Sequence, residues 1–112
     1  MAQDFENSIT KDIDASLADI RATADSDDAI VGIRLANTSS TTSITVDVAI
    51  TNDSGTVQAY IIKNAPIPVG SSLELIDGGS KIVLTSGHKL QAKSSATNTL
   101  DVVVSAVDAI ST

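Results

Sequence analysis

The chain has 112 residues, no cysteine, one histidine, 2% aromatic residues and a net charge of −7. This length suits one domain with one core. Disulfide frameworks and cysteine-based zinc sites are excluded. A stacking platform for bases or sugars lacks its aromatic residues, and the acidic balance excludes a phosphate-tracking groove, so no nucleic-acid partner is expected.

The first segment, residues 1–28, is set apart by charge. It holds eight of the fourteen acidic residues and two of the seven basic ones, whereas residues 29–112 are nearly neutral. That asymmetry predicts an acidic N-terminal arm on a compact body. Phe5, Ile9, Ile13, Leu17 and Ile20 recur along the arm at helical spacing, as on an amphipathic helix. Thr10, Asp12, Asp14 and Asp19 are poor helix formers, and Asn7 and Ser8 prefer caps. The expectation is therefore an extended or partly helical arm. Leu17 to Thr23 is an alternative first strand, ahead of the turn Asp25-Ser26-Asp27-Asp28. The five apolar residues require burial in the body or against a neighbouring subunit. Met1 to Glu6 lacks the basic and apolar regions of a signal peptide. No apolar run reaches the roughly 18 residues of a membrane span. The expectations are synthesis in a cytoplasm and no membrane partner.

From Ala29 onward short apolar runs alternate with turns. Ile30 to Ala36 is the first, closed by Asn37-Thr38-Ser39-Ser40. Ser43 to Thr51 alternates with period two: Ile44, Val46, Val48 and Ile50 on a buried side, Thr45, Asp47, Ala49 and Thr51 on the other. Asn52-Asp53-Ser54-Gly55 has hairpin-loop chemistry and predicts pairing with Thr56 to Lys63. Pro66 and Pro68 lack an N–H and cannot lie in a central ladder, so residues 64–70 form an edge or a crossing between sheets. Ser72 to Ile76 follows, then the turn Asp77-Gly78-Gly79, Lys81 to Thr85, Ser86-Gly87, and His88 to Lys93. After the polar loop 94–98, Thr99 to Val107 buries Leu100, Val102, Val104 and Ala106. The fold class expected is all-β, an antiparallel β-sandwich, jelly-roll or Ig-like, of about seven strands over residues 29–112.

Chemistry is scarce. His88 has no nucleophile motif or orienting group, which triad catalysis requires. Asp77-Gly78-Gly79-Ser80-Lys81 lacks phosphate-loop spacing and reads as a tight turn. Asp25-Ser26-Asp27-Asp28 offers oxygens to a hard cation but not the calcium-loop pattern. Glu74 and Asp101 could form a carboxylate pair for glycoside hydrolysis, but without sugar-binding aromatics they read better as solvated strand positions. No enzyme activity, cofactor or metal site is expected. In a two-layer sandwich one face of each sheet is solvated. Tyr60, Ile62, Val103 and Val107 fall on predicted outward faces and join Phe5, Ile9, Ile13, Leu17 and Ile20 as interface candidates.

The run Gln58 to Leu75, with Ile67-Pro68-Val69-Gly70-Ser71-Ser72-Leu73-Glu74-Leu75 at its end, carries a resemblance. It continues through Lys81-Ile82-Val83-Leu84, Ser86-Gly87-His88-Lys89-Leu90 and Val104-Ser105-Ala106-Val107. Over roughly residues 28–110 the chain resembles small β-rich virion structural proteins of tailed phages, notably those of cyanobacteria and other marine bacteria. His88 stands where their pattern is usually acidic. The resemblance implies a capsid decoration, or cement, protein on the outer capsid surface of the virion. It would clamp the major capsid protein or other virion proteins, as a homo-oligomer with a trimer favoured. A neck, tail or baseplate subunit is the alternative, and a glycan-binding sandwich the weaker one.

Overall fold

In a computed structural model of the chain, residues 4–76 and 81–108 are described, with backbone only at Asp4. They form nine strands and no helix: β1 (Asp4–Ile13), β2 (Ala18–Arg21), β3 (Asp28–Asn37), β4 (Ile44–Asn52), β5 (Val57–Ile67), β6 (Ser72–Glu74), β7 (Ile82–Leu84), β8 (His88–Ser94) and β9 (Leu100–Asp108). The seven expected strands are present, and two more come from residues 4–21. The predicted turn at Asp77-Gly78-Gly79 and Ser80 lies outside the described residues.

One sheet has the order β1-β9-β3-β6, with β7 also on β3; the other is β2-β8-β4-β5. All pairings are antiparallel. β6 takes Arg34 to Ala36 of β3, and β7 takes Asp28 to Ile30, so they are two pieces of one interrupted edge strand. Counted as one, they leave eight strands whose connections cross between the sheets at every step except β4–β5. That is the jelly roll, not the Ig-like Greek key.

The turn chemistry acts as expected between β4 and β5. Asn52 Oδ1 accepts the N–H groups of Ser54 and Thr56 at 3.1 and 2.9 Å. Gly55 sits at φ 88°, where a side chain is strained. β5 runs on past Lys63 to Ile67 along the edge of its sheet, with Pro66 opposite Thr45. The chain then crosses at Pro68-Val69-Gly70.

Ile30, Ile33 and Leu35 of β3 meet Val46 and Val48 of β4, Leu90 and Ala92 of β8, and Leu100, Val102, Val104 and Ala106 of β9 in one core. The β4 alternation is only partly as expected. Ile44, Val46 and Val48 are buried, but so are Asp47, Ala49 and Thr51, while Ile50 is half-buried. Register shifts against β5 break the strict period of two.

The expected boundary at residue 28 is not a structural one. β1 pairs with β9 along Asp4 to Thr10, and β2 pairs with β8. The acidic segment thus supplies a strand to each sheet. Its apolar residues matched a helical spacing because every fourth residue also shares a strand face. The spacing then breaks at a bulge: Asp12 has φ 57°, the register shifts between Thr10 and Ile13, and Ile13 turns inward opposite Leu100. Asp101 Oδ1 accepts the Asp12 N–H at 3.1 Å and holds that bulge.

Candidate interaction surface

The outer face of the β1-β9-β3 sheet is organised in rows across the strands. One row runs Phe5–Val107–Ala29–Val83, from β1 through β9 and β3 to β7. A second runs Ile9–Val103–Arg34–Glu74. Between them lies Asn7–Ser105–Gly32, whose short side chains leave a shallow trough lined by Phe5, Asn7, Val31 and Ser105. Phe5 is 88% exposed, Ile9 67%, Val83 54% and Val103 40%. Scattered single apolar residues need no explanation, but two apolar rows on one face, parted only by a row of small and polar residues, form a patch.

Of the nine interface candidates, Phe5, Ile9, Val103 and Val107 come together on this face. Ile13 and Ile20 are core residues, 2% and 1% exposed, and their place in the interface set is corrected. The bulge at Asp12 turns the first inward, and β2 closes over the core with the second. Leu17 is half-buried between β1 and β2. Ile62 lies opposite Val48 and packs against the core instead of facing outward. Tyr60 is exposed, but on the other sheet, with Lys63 Nζ 4.3 Å from its ring centroid. Val83 and Val31 were missed. Ile82-Val83-Leu84 is apolar at every position, so its pattern marks no outward side, and Val31 lies in the β3 bulge between Ile30 and Gly32.

The opposite sheet presents charge. Asp47 is buried within it; its Oδ2 lies 3.6 Å from Lys63 Nζ and 3.7 Å from Lys93 Nζ. Its Oδ1 accepts the N–H of Asn64 at 2.8 Å. Asn64 has φ 56°, so this carboxylate pins a bulge in β5.

At one end of the sandwich Arg21 joins the two sheets. Its Nη2 contacts Glu6 Oε1 at 2.8 Å and Asp28 Oδ2 at 3.1 Å, and its Nη1 meets Ser8 Oγ at 3.3 Å. Asp108 completes this acidic end. Its carboxyl is held above the ordinary carboxylate range, chiefly by a hydrogen bond with Asp28, then by burial and by the charges of Asp28, Glu6 and Asp25. The folded chain therefore binds this proton more tightly than the unfolded chain. Ionisation opposes folding above the raised value, and the penalty disappears as pH falls. Asp108→Asn is expected to raise the melting temperature at pH 7, with the gain vanishing below the carboxylate range in a pH series of thermal melts. Asp19 has the opposite sign. Its carboxyl is lowered, chiefly by its hydrogen bond with Lys89, so its contribution at neutral pH is lost as acidity reaches its lowered value.

His88, Glu74 and Asp27, weighed above for chemistry, have structural partners. His88 Nδ1 lies 2.9 Å from Thr85 Oγ1 within its own turn. Glu74 Oε2 accepts the N–H of Ile33 at 2.9 Å and of Ile76 at 3.3 Å. Asp27 Oδ1 accepts the N–H of Ser86 at 3.4 Å. Among the described residues, no group of three or more His, Asp or Glu side chains is placed to hold a metal ion.

No protein-family model and no curated protein matches the chain. Two solved structures share its fold. One is a chain of the acidic stable capsid structure of Helicobacter pylori bacteriophage KHP30, with TM-score 0.55 and 12% identity, covering 96% of this chain and 88% of that one. The other comes from Bacillus endospore appendages, a family of disulfide-linked pili, with TM-score 0.52 and 15% identity, covering 98% of this chain and 88% of that one. At such identities the likeness is one of fold.

Proposed function

We propose that this protein is a non-catalytic structural subunit of a phage virion, and that it decorates the capsid by binding the major capsid protein. The observation that carries the reading is the apolar row Phe5–Val107–Ala29–Val83, exposed at Phe5 and Val83 and half-buried at Val107, with exposed Ile9 and Val103 on the same face. A face of this kind is an assembly surface. The capsid chain with the same fold supports it. Contacts between copies would not be disulfides, since the chain has no cysteine.

A second reading, a neck or tail subunit, is favoured by the likeness to the appendage chain, which belongs to a pilus. The two separate by location. Immunogold labelling of purified virions is expected to mark the heads. Label confined to necks or tails selects the second reading. Absence of the protein from purified virions overturns both.

The grip is not expected to reside in a detachable arm. Removing residues 1–28 deletes β1 and β2 and strips one member from each sheet. Surface substitutions at Phe5 and Ile9 are the appropriate probe of capsid binding.

A further inference from the structure

We propose that the free edge of β1 is the site where a second copy of this chain adds antiparallel, making one continuous sheet across a twofold axis at Asn7. The proposal is independent of whether the assembly is a head, a tail or a filament.

A strand at a sheet edge presents unpaired N–H and C=O groups that template another strand, and proteins blunt such edges where they are unwanted. Two edges are long. β5 is blunted: Pro66 lacks an N–H, Asn64 is in the left-handed region, and three register shifts interrupt its pairing with β4. β1 keeps unbroken register with β9 from Asp4 to Thr10, and its first irregularity comes beyond Thr10. The other edges, β2, β6 and β7, have only three or four residues each. Among the described residues, β1 is thus the one long regular edge. A threefold ring, as the phage resemblance implies, needs two different complementary edges. One good edge pairs with itself, and self-pairing closes as a twofold dimer.

The register follows from the residues. Opposed residues must share a strand face if both outer faces are to stay on one side. An axis at Glu6 sets that carboxylate against itself. An axis at Ser8 sets Lys11 against Phe5 and Ile9 against Asn7. An axis at Asn7 sets Phe5 against Ile9 of the second copy, twice by symmetry. Aromatic–β-branched pairs are favourable across strands, and like charges are not. The same axis joins the rows, because Val107–Phe5 of one copy continues into Ile9–Val103 of the other. On the inner side Glu6 comes opposite Ser8 of the second copy, whose hydroxyl meets Arg21. Each Glu6 carboxylate, half open to solvent in one copy, is thereby brought towards a second guanidinium.

The interface is small, so the dimer is weak by itself and gains strength when many copies assemble. Sedimentation of the full-length chain is expected to show a mass rising from monomer to dimer with concentration. The double variant F5K/I9K, at two exposed positions, is expected to remain folded by circular dichroism and to sediment as a monomer. Asn7→Cys, in a chain otherwise free of cysteine, is expected to form a disulfide-linked dimer on mild oxidation, because residues opposed at the axis lie within disulfide reach. Val83→Cys, exposed on the far side of the same sheet, is expected not to. A monomer up to about 1 mM, a trimer, a dimer that survives F5K/I9K, or equal cross-linking at positions 7 and 83 would each overturn the proposal.

Discussion

Arg21→Ala is expected to cost about 3–5 kcal/mol of folding stability, the range for breaking a buried ion pair from one side. The Arg21 side chain is 9% exposed and that of Asp28 3%. Without the guanidinium, the buried Asp28 carboxylate loses the charge-assisted contact that Arg21 makes beside Glu6 and Asp108, and weakening the compensation of a buried charge is costly. The loss also unpins β1 from β2, because the same group holds Glu6 and Ser8 of β1. For a domain with roughly 5–15 kcal/mol in total, this is a large fraction. Urea titration is the measurement. Arg21→Lys is expected to recover only part of the loss, since an ammonium cannot reproduce the planar fork that reaches three partners. Removing both members in Arg21→Ala/Asp28→Ala is expected to cost less than the sum of the single losses. Additive losses would mean that the ion pair is not the source. Lower pH is expected to soften the Arg21→Ala defect, because protonation discharges the carboxylates it leaves behind.

Leu35→Ala is expected to cost about 2–5 kcal/mol, the usual range for a truncated core leucine. Leu35 is fully buried near the end of β3, between Val102 of β9 and Leu73 of β6. Its environment comes from both sheets, so a cavity there cannot close without moving one of them. Phe5→Ala provides the contrast. Phe5 has the largest apolar side chain of β1, yet at 88% exposure its truncation is expected to change stability by no more than about 0.5 kcal/mol. The pair of variants separates residues that hold the fold from residues that present a surface. A Phe5→Ala loss as large as that of Leu35→Ala, measured by thermal melts, would place Phe5 in the core.

Much of the sandwich was legible because strand patterns are local. Leu100, Val102, Val104 and Ala106 alternate without interruption, and β9, central in its sheet, buries all four. The loop Asn52 to Gly55 carries its own turn chemistry, so the β4–β5 hairpin needed no tertiary information. Pro66 and Pro68 marked both the sheet edge and the crossing, because a missing N–H limits a residue wherever it lies. On the outer face, Val103 and Val107 were identifiable as outward residues, and Phe5 and Ile9 as apolar residues in need of cover, though not as neighbours.

The N-terminal quarter was read less well. Its charge asymmetry indicated an appendage, but charge reports solvation and not topology. The acids of residues 6–28 are spread along strands and turns that face water or surround Arg21. Its apolar residues, spaced by four, fit a helix face and a strand face equally, and a bulge at Asp12 decided between surface and core for Ile9 and Ile13.

By itself, then, the sequence determined an all-β chain with its turns, its hairpin, its proline edge and the apolar content of its central strands. Those properties rest on each residue's own conformational preferences and on contacts a few positions away. Only the tertiary structure decided the jelly-roll order, the entry of β1 and β2 into the two sheets, and the joining of Phe5 with Val107 and of Ile9 with Val103. Each of these depends on pairing between segments nearly a full chain length apart. Periodicity shows which side of a strand is buried, but which strand lies next to it is settled by how the two sheets close around one core.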